Sequence, residues 1–195
     1  MRFWVFTSTV LLTSLISWPV FANDAMREAA EKFIPTLKSE CDVLLEDAKQ
    51  PDFYSYSEKS SYNAKVSQWM LVRVPCNSGA YNFDDVWLVV DKDNVVKRAV
   101  FAVPTFETEF EENGEYDKVK SIRVSGYSVQ NSLTNSSFDP SSGRMKHFPK
   151  GRGIADIYDS GVWRFSYGDF ILEIYEQDPT ADGKMSPAIK LDFTK

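Results

Sequence analysis

The chain has 195 residues, of which 43% are hydrophobic and 14% aromatic, and this composition suits one domain with a substantial apolar core. Its formal net charge of -6 at pH 7 disfavours nucleic acid and anionic membrane surfaces as partners, because an acidic domain repels phosphate groups. The chain has 1 histidine, which excludes a metal site built from several histidines.

Residues 1–22 have the pattern of a secretory signal peptide. Arg2 supplies a short positive region, an apolar stretch follows, and Val20 and Ala22 are small residues where a signal peptidase reads the chain. An uncleaved N-terminal anchor is the alternative. No later run approaches the ~18–20 apolar residues that span a bilayer. We therefore expect residues 23–195 to form a single domain, periplasmic or secreted, with no transmembrane segment after cleavage.

Two cysteines, Cys41 and Cys76, lie in the predicted mature chain. In an oxidising compartment this number favours one disulfide. The bridge would close a loop of about 36 residues and stabilise the fold by roughly 4 kcal/mol in the chain-entropy treatment. Two free thiols are the alternative. No C-x-x-C motif is present, so the sequence does not predict a thiol oxidoreductase.

Apolar residues recur at steps of three and four from Asp24 to Ala48, which predicts an amphipathic helix over about residues 24–48. Pro35 interrupts the pattern and predicts a kink or a junction of two helices. Cys41 lies on the apolar face, so a disulfide would join the helix to the strand that ends at Cys76. We favour packing of this face on a sheet over binding of a partner protein.

The rest of the chain is predicted to consist of short strands separated by turns. Residues 69–87 are predicted to form a hairpin, with a further strand pairing over 95–103. More strands are predicted at residues 119–130, 132–138, 144–148, 154–158, 162–167, 170–175 and 188–193, and turns at 159–161 and 167–169. We therefore predict an α+β, mainly β fold, with the N-terminal helical segment packed on an antiparallel β-sheet, sandwich or partial barrel.

Several motifs have both a functional and a structural interpretation, and we favour the structural one. The acidic run at 106–117 has ligands for a hard cation, but also suits an exposed loop or edge strand. Residues 178–183 resemble the start of a calcium loop, yet Ile189 stands where a glutamate is needed. His147 is expected to be an exposed strand-end residue rather than part of a catalytic triad. Asn135 begins a glycosylation sequon. No metal site is predicted.

Two segments resemble a known family. Residues 74–82 read V-P-C-N-S-G-A-Y-N, and residues 150–154 read K-G-R-G-I, followed by Trp163 and an F-x-L strand at 170–172. These are similar to the motif blocks V-P-C-x-x-G-A-Y-N and G-R-G-[LI]-G-D-C-G of a bacterial exported family, domain of unknown function 1176. The resemblance implies export, a β-rich domain and a disulfide at Cys76, and it brings no activity.

The chain departs from the family pattern in its second block. Ala155-Asp156-Ile157 stands where the family has G-D-C, and the later cysteine after the F-x-L strand is also missing. This departure indicates that one family disulfide is absent here, with Ile157 filling the space. Asp156 itself matches a family position.

The candidate binding residues are Gly79, Tyr81, Asn82, Arg152 and Asp156. Gly79 and Asn82 fit a turn with a special backbone conformation. Arg152 is able to bind a carboxylate with two parallel hydrogen bonds, and a structural ion pair is the alternative. No catalytic residue is predicted.

The sequence thus favours a non-enzymatic domain that binds a protein or another component of the cell envelope, without a cofactor. A cell-wall hydrolase that uses acidic residues such as Asp156, together with Arg152, is one alternative. A small-ligand carrier with a pocket lined by Trp69, Trp87 and Trp163 is another.

Overall fold

The computed structural model describes residues 19–41, 50–111 and 118–195, with side chains from residue 23 onward. Three predicted features therefore lie partly outside the described residues. They are the signal peptide (residues 1–18 of it), the end of the predicted helix (42–48) and the end of the acidic run (112–117). No helix within the described residues combines the length and the apolarity that crossing a membrane requires.

The N-terminal helix α1 spans Pro19–Phe33 and continues as a 3-10 helix over Ile34–Leu37. The helix begins at Pro19, earlier than the predicted start at residue 24, and it changes to a 3-10 helix beside Pro35, where a kink or a junction of two helices is predicted. Residues 42–48 of the predicted helix lie outside the described residues. Pro35 has no N–H group and its ring clashes with the preceding turn, so the α-helix stops just before it. The chain then turns over residues 38–40 and reaches Cys41, which is fully buried.

The strands form three antiparallel groups. The first sheet has the order β1–β2–β3–β4, with β7 also paired to β3, and contains β1 Asp52–Lys59, β2 Val66–Ser78, β3 Phe83–Val90, β4 Val96–Arg98 and β7 Leu133–Thr134. A two-stranded ribbon consists of β5 Phe101–Phe110 and β6 Val119–Gln130. The second sheet has the order β12–β11–β10–β9–β8 and contains β8 Ser137–Asp139, β9 Arg144–His147, β10 Tyr158–Ser166, β11 Asp169–Asp178 and β12 Ile189–Asp192.

The first sheet is covered on both faces, which explains why β2 is apolar on both sides. One face carries Met70, Val72 and Val74, which pack against α1 and the 3-10 helix in one core cluster. The other face carries Leu71 and Trp87, which belong to a second cluster that includes aromatic side chains of the second sheet. The predicted α+β, mainly β fold, with an N-terminal helical segment packed on antiparallel sheet, is confirmed, and the sheets do not close into a barrel.

The predicted hairpin at 69–87 is confirmed, because β2 and β3 pair antiparallel with Arg73 opposite Trp87. Cys76 lies in β2 and is bonded to Cys41, so the predicted disulfide is also confirmed. Both cysteines belong to the cluster between the first sheet and the helix. The disulfide therefore ties the end of the helical segment to the buried face of the sheet.

Two strand predictions and one turn prediction are wrong. The strand over 95–103 is interrupted between β4 and β5, where the chain leaves the first sheet for the ribbon. Residues 154–157 form turns and bends, with Ala155 in the left-handed region at φ 61. The turn predicted at 159–161 lies inside β10 instead. Gly161 is there because a Cβ atom would lie 2.2 Å from Cη2 of Trp163, so this glycine permits close packing rather than a turn.

Candidate functional site

The two segments that carry the family resemblance meet in the folded structure. The Nδ2 atom of Asn82 donates to the Lys150 carbonyl at 2.9 Å, and its Oδ1 atom accepts from the Lys150 N–H at 3.1 Å. The hydroxyl of Tyr81 donates to the Gly151 carbonyl at 3.0 Å. We call this contact between residues 79–82 and 150–153 the loop junction. It brings the candidate binding residues Gly79, Tyr81 and Asn82 beside the segment that carries Arg152.

Asn135 completes the loop junction from a third segment. Its Nδ2 atom donates to Asn82 Oδ1 at 3.0 Å and to the Phe148 carbonyl at 3.0 Å. Its Oδ1 atom accepts from the Phe83 N–H at 3.1 Å. The backbone is left-handed at φ 49, a conformation that asparagine tolerates well. The amide nitrogen that would carry a glycan is thus used in structural hydrogen bonds.

The expected special backbone at Gly79 and Asn82 is wrong, since neither residue has a positive φ. The Gly79 N–H donates to the Asn82 carbonyl at 2.7 Å and closes the hairpin turn. A Cβ atom on Gly79 would lie 3.5 Å from that carbonyl oxygen, which is an ordinary contact. Asn82 is needed here for its side-chain amide rather than for its backbone.

Arg152 and Asp156 form an ion pair with each other. The Asp156 side chain is 1% exposed, and its Oδ1 atom accepts from Arg152 Nε at 2.9 Å. Its Oδ2 atom accepts from the Gly183 N–H at 3.1 Å, and Arg152 Nη2 donates to the Ala181 carbonyl at 3.2 Å. The pair therefore fastens the 181–183 segment to the loop that follows β9. This geometry favours the structural interpretation of both residues.

A cleft of about 250 Å³ opens beside the loop junction, near the turn that joins β2 and β3. We call it the hairpin cleft. Its lining includes Arg73, Asn77, Phe83, Asp85, Asn135 and Ser136. Apart from the sequon at Asn135, sequence reasoning missed these residues. One signal was available, because Asp84 and Asp85 interrupt an otherwise apolar strand.

Asp85 is the buried acid of the hairpin cleft, at 5% exposed. Trp87 Nε1 donates to Ser136 Oγ at 2.9 Å, and Ser136 Oγ donates to Asp85 Oδ2 at 2.7 Å. Burial raises the pKa of Asp85, while the Ser136 hydrogen bond and the charge of Arg73 oppose that shift. The indole and the hydroxyl thus fix the orientation of a carboxyl group whose charged form is poorly solvated.

Arg73 and Phe83 give the hairpin cleft a positively charged guanidinium group and an apolar ring. Arg73 forms an ion pair with Asp52, but its buried Nε atom has no hydrogen-bond partner among the described residues. Phe83 is 44% exposed, so part of its apolar ring is accessible at the border of the cleft. The cleft therefore offers a guanidinium, a carboxyl group and an exposed ring side by side. Such a set binds polar groups and does not by itself form a nucleophile–base pair.

His147 and the tryptophans lie in the core. The expected exposed position of His147 is wrong: the residue is buried between Trp163 and Tyr175, and burial lowers its pKa to about 4. Trp87 and Trp163 are 0% exposed and fill the space between the sheets. They do not line a ligand pocket with Trp69, so the geometry does not favour the carrier hypothesis.

The acidic and calcium-like segments have structural roles in the described residues. In the ribbon, Glu107 of β5 pairs with Arg123 of β6, as expected for an exposed, charged strand pair. Asp178 accepts hydrogen bonds from the N–H and hydroxyl of Thr180 and from the Ser186 N–H, so it organises a turn. No group of three metal-ligating side chains occurs in the part of the chain that the structure describes.

A family model described as "Protein of unknown function (DUF1176)" matches residues 22–190. The chain is similar to "Uncharacterized protein YpfG" of Escherichia coli (strain K12), with 30% identity over 118 residues. This alignment covers 60% of the chain but 29% of that relative, so the chain spans less than a third of the relative's length. No solved structure matches the chain.

Proposed function

The chain belongs to the DUF1176 family of proteins of unknown function, and we propose that it is an exported, non-enzymatic domain that binds a polar component of the cell envelope in the hairpin cleft. One observation carries this proposal. Arg73, with an unpartnered buried Nε atom, lies with the buried Asp85 in a cleft bordered by the exposed ring of Phe83.

The electrostatics of the hairpin cleft support ligand binding. Hydrogen bonds are stronger at low local dielectric, and an unpartnered buried donor such as Arg73 Nε destabilises the unliganded fold. A ligand acceptor that reaches this donor would remove that cost. Asp85 supplies an acceptor on the same cleft. A ligand with both donors and acceptors, such as a hydroxyl- and amide-bearing glycan, matches this pair.

The rigidity of the surroundings also supports a binding role. The loop junction holds Asn135 and Phe83 by hydrogen bonds between segments that are 52 residues apart. The disulfide fixes Cys76, which lies between the cleft residues Pro75 and Asn77 on β2. A preformed site loses little conformational entropy when it binds, so more of the contact energy contributes to affinity.

Export is supported by the disulfide and by the N-terminal sequence pattern. Disulfides persist in oxidising compartments such as the periplasm, and Cys41 and Cys76 are bonded to each other. Residues 1–22 carry the features of a secretory signal peptide. Cell fractionation of the full-length protein, with N-terminal sequencing of the mature form, would test this part of the proposal.

The binding proposal is tested with isolated cell-wall glycan and purified residues 23–195. We expect the protein to sediment with the glycan, and Arg73→Gln to weaken that binding at least about tenfold. Arg123→Gln is the matched control, because it removes another cross-strand arginine–carboxylate pair, on the ribbon away from the cleft. Equal binding by the two variants, or no binding by the wild-type protein, would contradict the proposal.

Phe83→Ala gives a second, independent test of the same cleft. We expect it to weaken glycan binding, since it removes the exposed ring at the cleft border. Phe193→Ala is its control: Phe193 is 49% exposed, close to the 44% of Phe83, and follows the last strand. If both substitutions lower binding equally, the effect comes from general surface apolarity and the hairpin cleft is not the site.

Asp85 favours one second candidate, a hydrolase that uses an acidic residue. Burial raises the pKa of Asp85, so this carboxyl group keeps its proton to a higher pH than an exposed aspartic acid, as a general acid requires. Asp156 is less suited to that role, because Arg152 and two backbone N–H groups already bind it. Release of soluble fragments from cell-wall glycan, lost in Asp85→Asn, would establish this candidate. No release by the wild-type protein would exclude it for that substrate.

A further inference from the structure

A second cleft, of about 320 Å³, lies on the other side of the 150–151 loop, at the ends of β10 and β11. We call it the β10–β11 cleft. Its lining includes Lys150, Tyr158, Asp159, Gln177, Asp178 and Pro179. It shares no lining residue with the hairpin cleft, so whatever it binds is independent of the function proposed above.

Two buried acceptors in this cleft lack donors. Asp159 and Gln177 are directly opposite each other on the paired strands, so their side chains lie on the same face. Asp159 Oδ1 and Gln177 Oε1 are both buried, and neither has a hydrogen-bond partner among the described residues. Buried acceptors without donors are rare and costly in native proteins. Their position in a cleft indicates that the missing donor comes from a ligand.

Asp178, the neighbouring acid of the cleft, already has hydrogen-bond donors from the protein itself. Asp178 is fully buried, and its oxygens accept hydrogen bonds from Thr180 and Ser186. Asp159 Oδ1 is therefore the carboxyl oxygen of this cleft that remains open to a ligand. Burial raises its pKa, although a hydrogen bond with the Gln177 side chain opposes this shift. A positive charge beside Asp159 would stabilise its ionised form.

We propose that the β10–β11 cleft binds a small molecule through a protonated primary amine, which donates hydrogen bonds to Asp159 and Gln177. An ammonium group has three donors and no acceptor, so it satisfies two adjacent oxygens and neutralises one carboxylate. A hydroxyl group has a single donor and no charge. A metal ion needs more ligands than these two oxygens, and no three-ligand group occurs in the described residues.

Lys150 is the basic residue of the cleft lining, and it gives the proposal a second testable consequence. Its charge opposes an incoming cation, so removing it should strengthen amine binding. The other titratable groups around Asp159 on the packed strands and the adjoining loop are Tyr158, Tyr175, Asp178, Glu176 and His147.

The test uses residues 23–195 with propylammonium as the probe and propanol as the uncharged control. We expect propylammonium to shift the NMR signals of the Asp159 carboxyl and the Gln177 amide, with no shift from propanol. No shift at Asp159 or Gln177 with propylammonium would overturn the proposal, and this measurement needs no variant.

Three substitutions complete the test. Asp159→Asn should weaken propylammonium binding at least about tenfold, and Lys150→Met should strengthen it. Asp169→Asn is the charge-matched control: Asp169 starts the same strand β11, at its other end, and is exposed. It should leave the affinity unchanged. If Asp159→Asn and Asp169→Asn have the same effect, the amine responds only to net charge and the site assignment is wrong.

Discussion

The side-chain amide of Asn82 forms two hydrogen bonds with the main chain of Lys150, a residue 68 positions away in the sequence. The amide is the donor in one bond and the acceptor in the other. It therefore pairs with the N–H and carbonyl groups of Lys150 in the way that a residue of a neighbouring β-strand would. A third bond, from Asn135, reaches the same Oδ1 atom. The contact joins the first sheet to the loop before β10 and therefore couples the two halves of the fold.

Asn82→Ala should lower the free energy of unfolding by about 1–3 kcal/mol, because it leaves partly buried backbone groups of Lys150 without partners. Urea denaturation measures the change. Asn63→Ala is the control, since Asn63 is exposed and accepts one local bond from the Lys65 N–H. It should change stability by less than about 0.5 kcal/mol. Similar losses in both variants would show that the loop junction contributes nothing specific.

Substitution by alanine should destabilise the fold at Gly161 and be tolerated at Gly79. Gly161→Ala should destabilise the fold by about 1–3 kcal/mol, because the new Cβ would lie 2.6 Å from Trp163 Cζ3 and 2.9 Å from His147 Cδ2. Gly79→Ala should be tolerated, because its φ is not positive and the nearest atom is at 3.5 Å. Thermal melts followed by circular dichroism distinguish the two. A larger loss for Gly79→Ala would contradict the packing described for β10.

The buried His147 should make stability fall as the solution is acidified. Its pKa is about 4 in the folded protein, against the ordinary histidine pKa of 6.5 in an unfolded chain. The unfolded state therefore binds the proton first, and stability decreases from pH 6.5 down to about pH 4, by about 3 kcal/mol in total. Asp85 and Asp159 act in the opposite direction, since burial raises the pKa of each in the folded protein.

His147→Phe isolates this effect, because phenylalanine preserves a ring beside Trp163 and cannot titrate. The difference in unfolding free energy between wild type and variant, measured from about pH 4 to about pH 8, should grow in favour of the variant as the pH falls. A difference that stays constant over this range would mean that His147 has an ordinary pKa and is accessible to water.

The Cys41–Cys76 disulfide should contribute about 4 kcal/mol through the loop it closes, whose ends are separated by 35 residues. Thiol titration of the denatured, unreduced protein should find no free thiol. The double variant Cys41→Ser, Cys76→Ser should unfold at lower denaturant concentration, and reducing agent should affect the wild type only. If the double variant is as stable as the wild type, the helical segment is held to β2 by packing alone.

Features that depend on local periodicity could be predicted from the amino-acid sequence. The apolar steps around Met26 and Ala30 predicted a helix packed on a sheet, and the doubly apolar strand at 69–75 predicted a central position. The presence of two cysteines in a chain with a secretory signal pattern predicted the Cys41–Cys76 disulfide. The resemblance in residues 74–82 and 150–154 pointed to segments that do meet in space.

The roles of those residues depend on tertiary contacts that the sequence pattern does not contain. Gly161 looked like a turn residue, yet it lies inside β10. There the Trp163 side chain of the same strand and His147 of the paired strand β9 leave no room for a Cβ atom. The sequence does not distinguish Asp85 from the other acidic residues. In the structure, Ser136 donates a hydrogen bond to its carboxyl group, and Trp87 donates one to Ser136, so the carboxyl group has a fixed orientation. Local pattern sets which residues form strands, whereas burial, pKa and cleft shape depend on contacts between different strands and loops. Examples are Asp84 with Thr134 and Asp85 with Ser136, which are 50 and 51 positions apart.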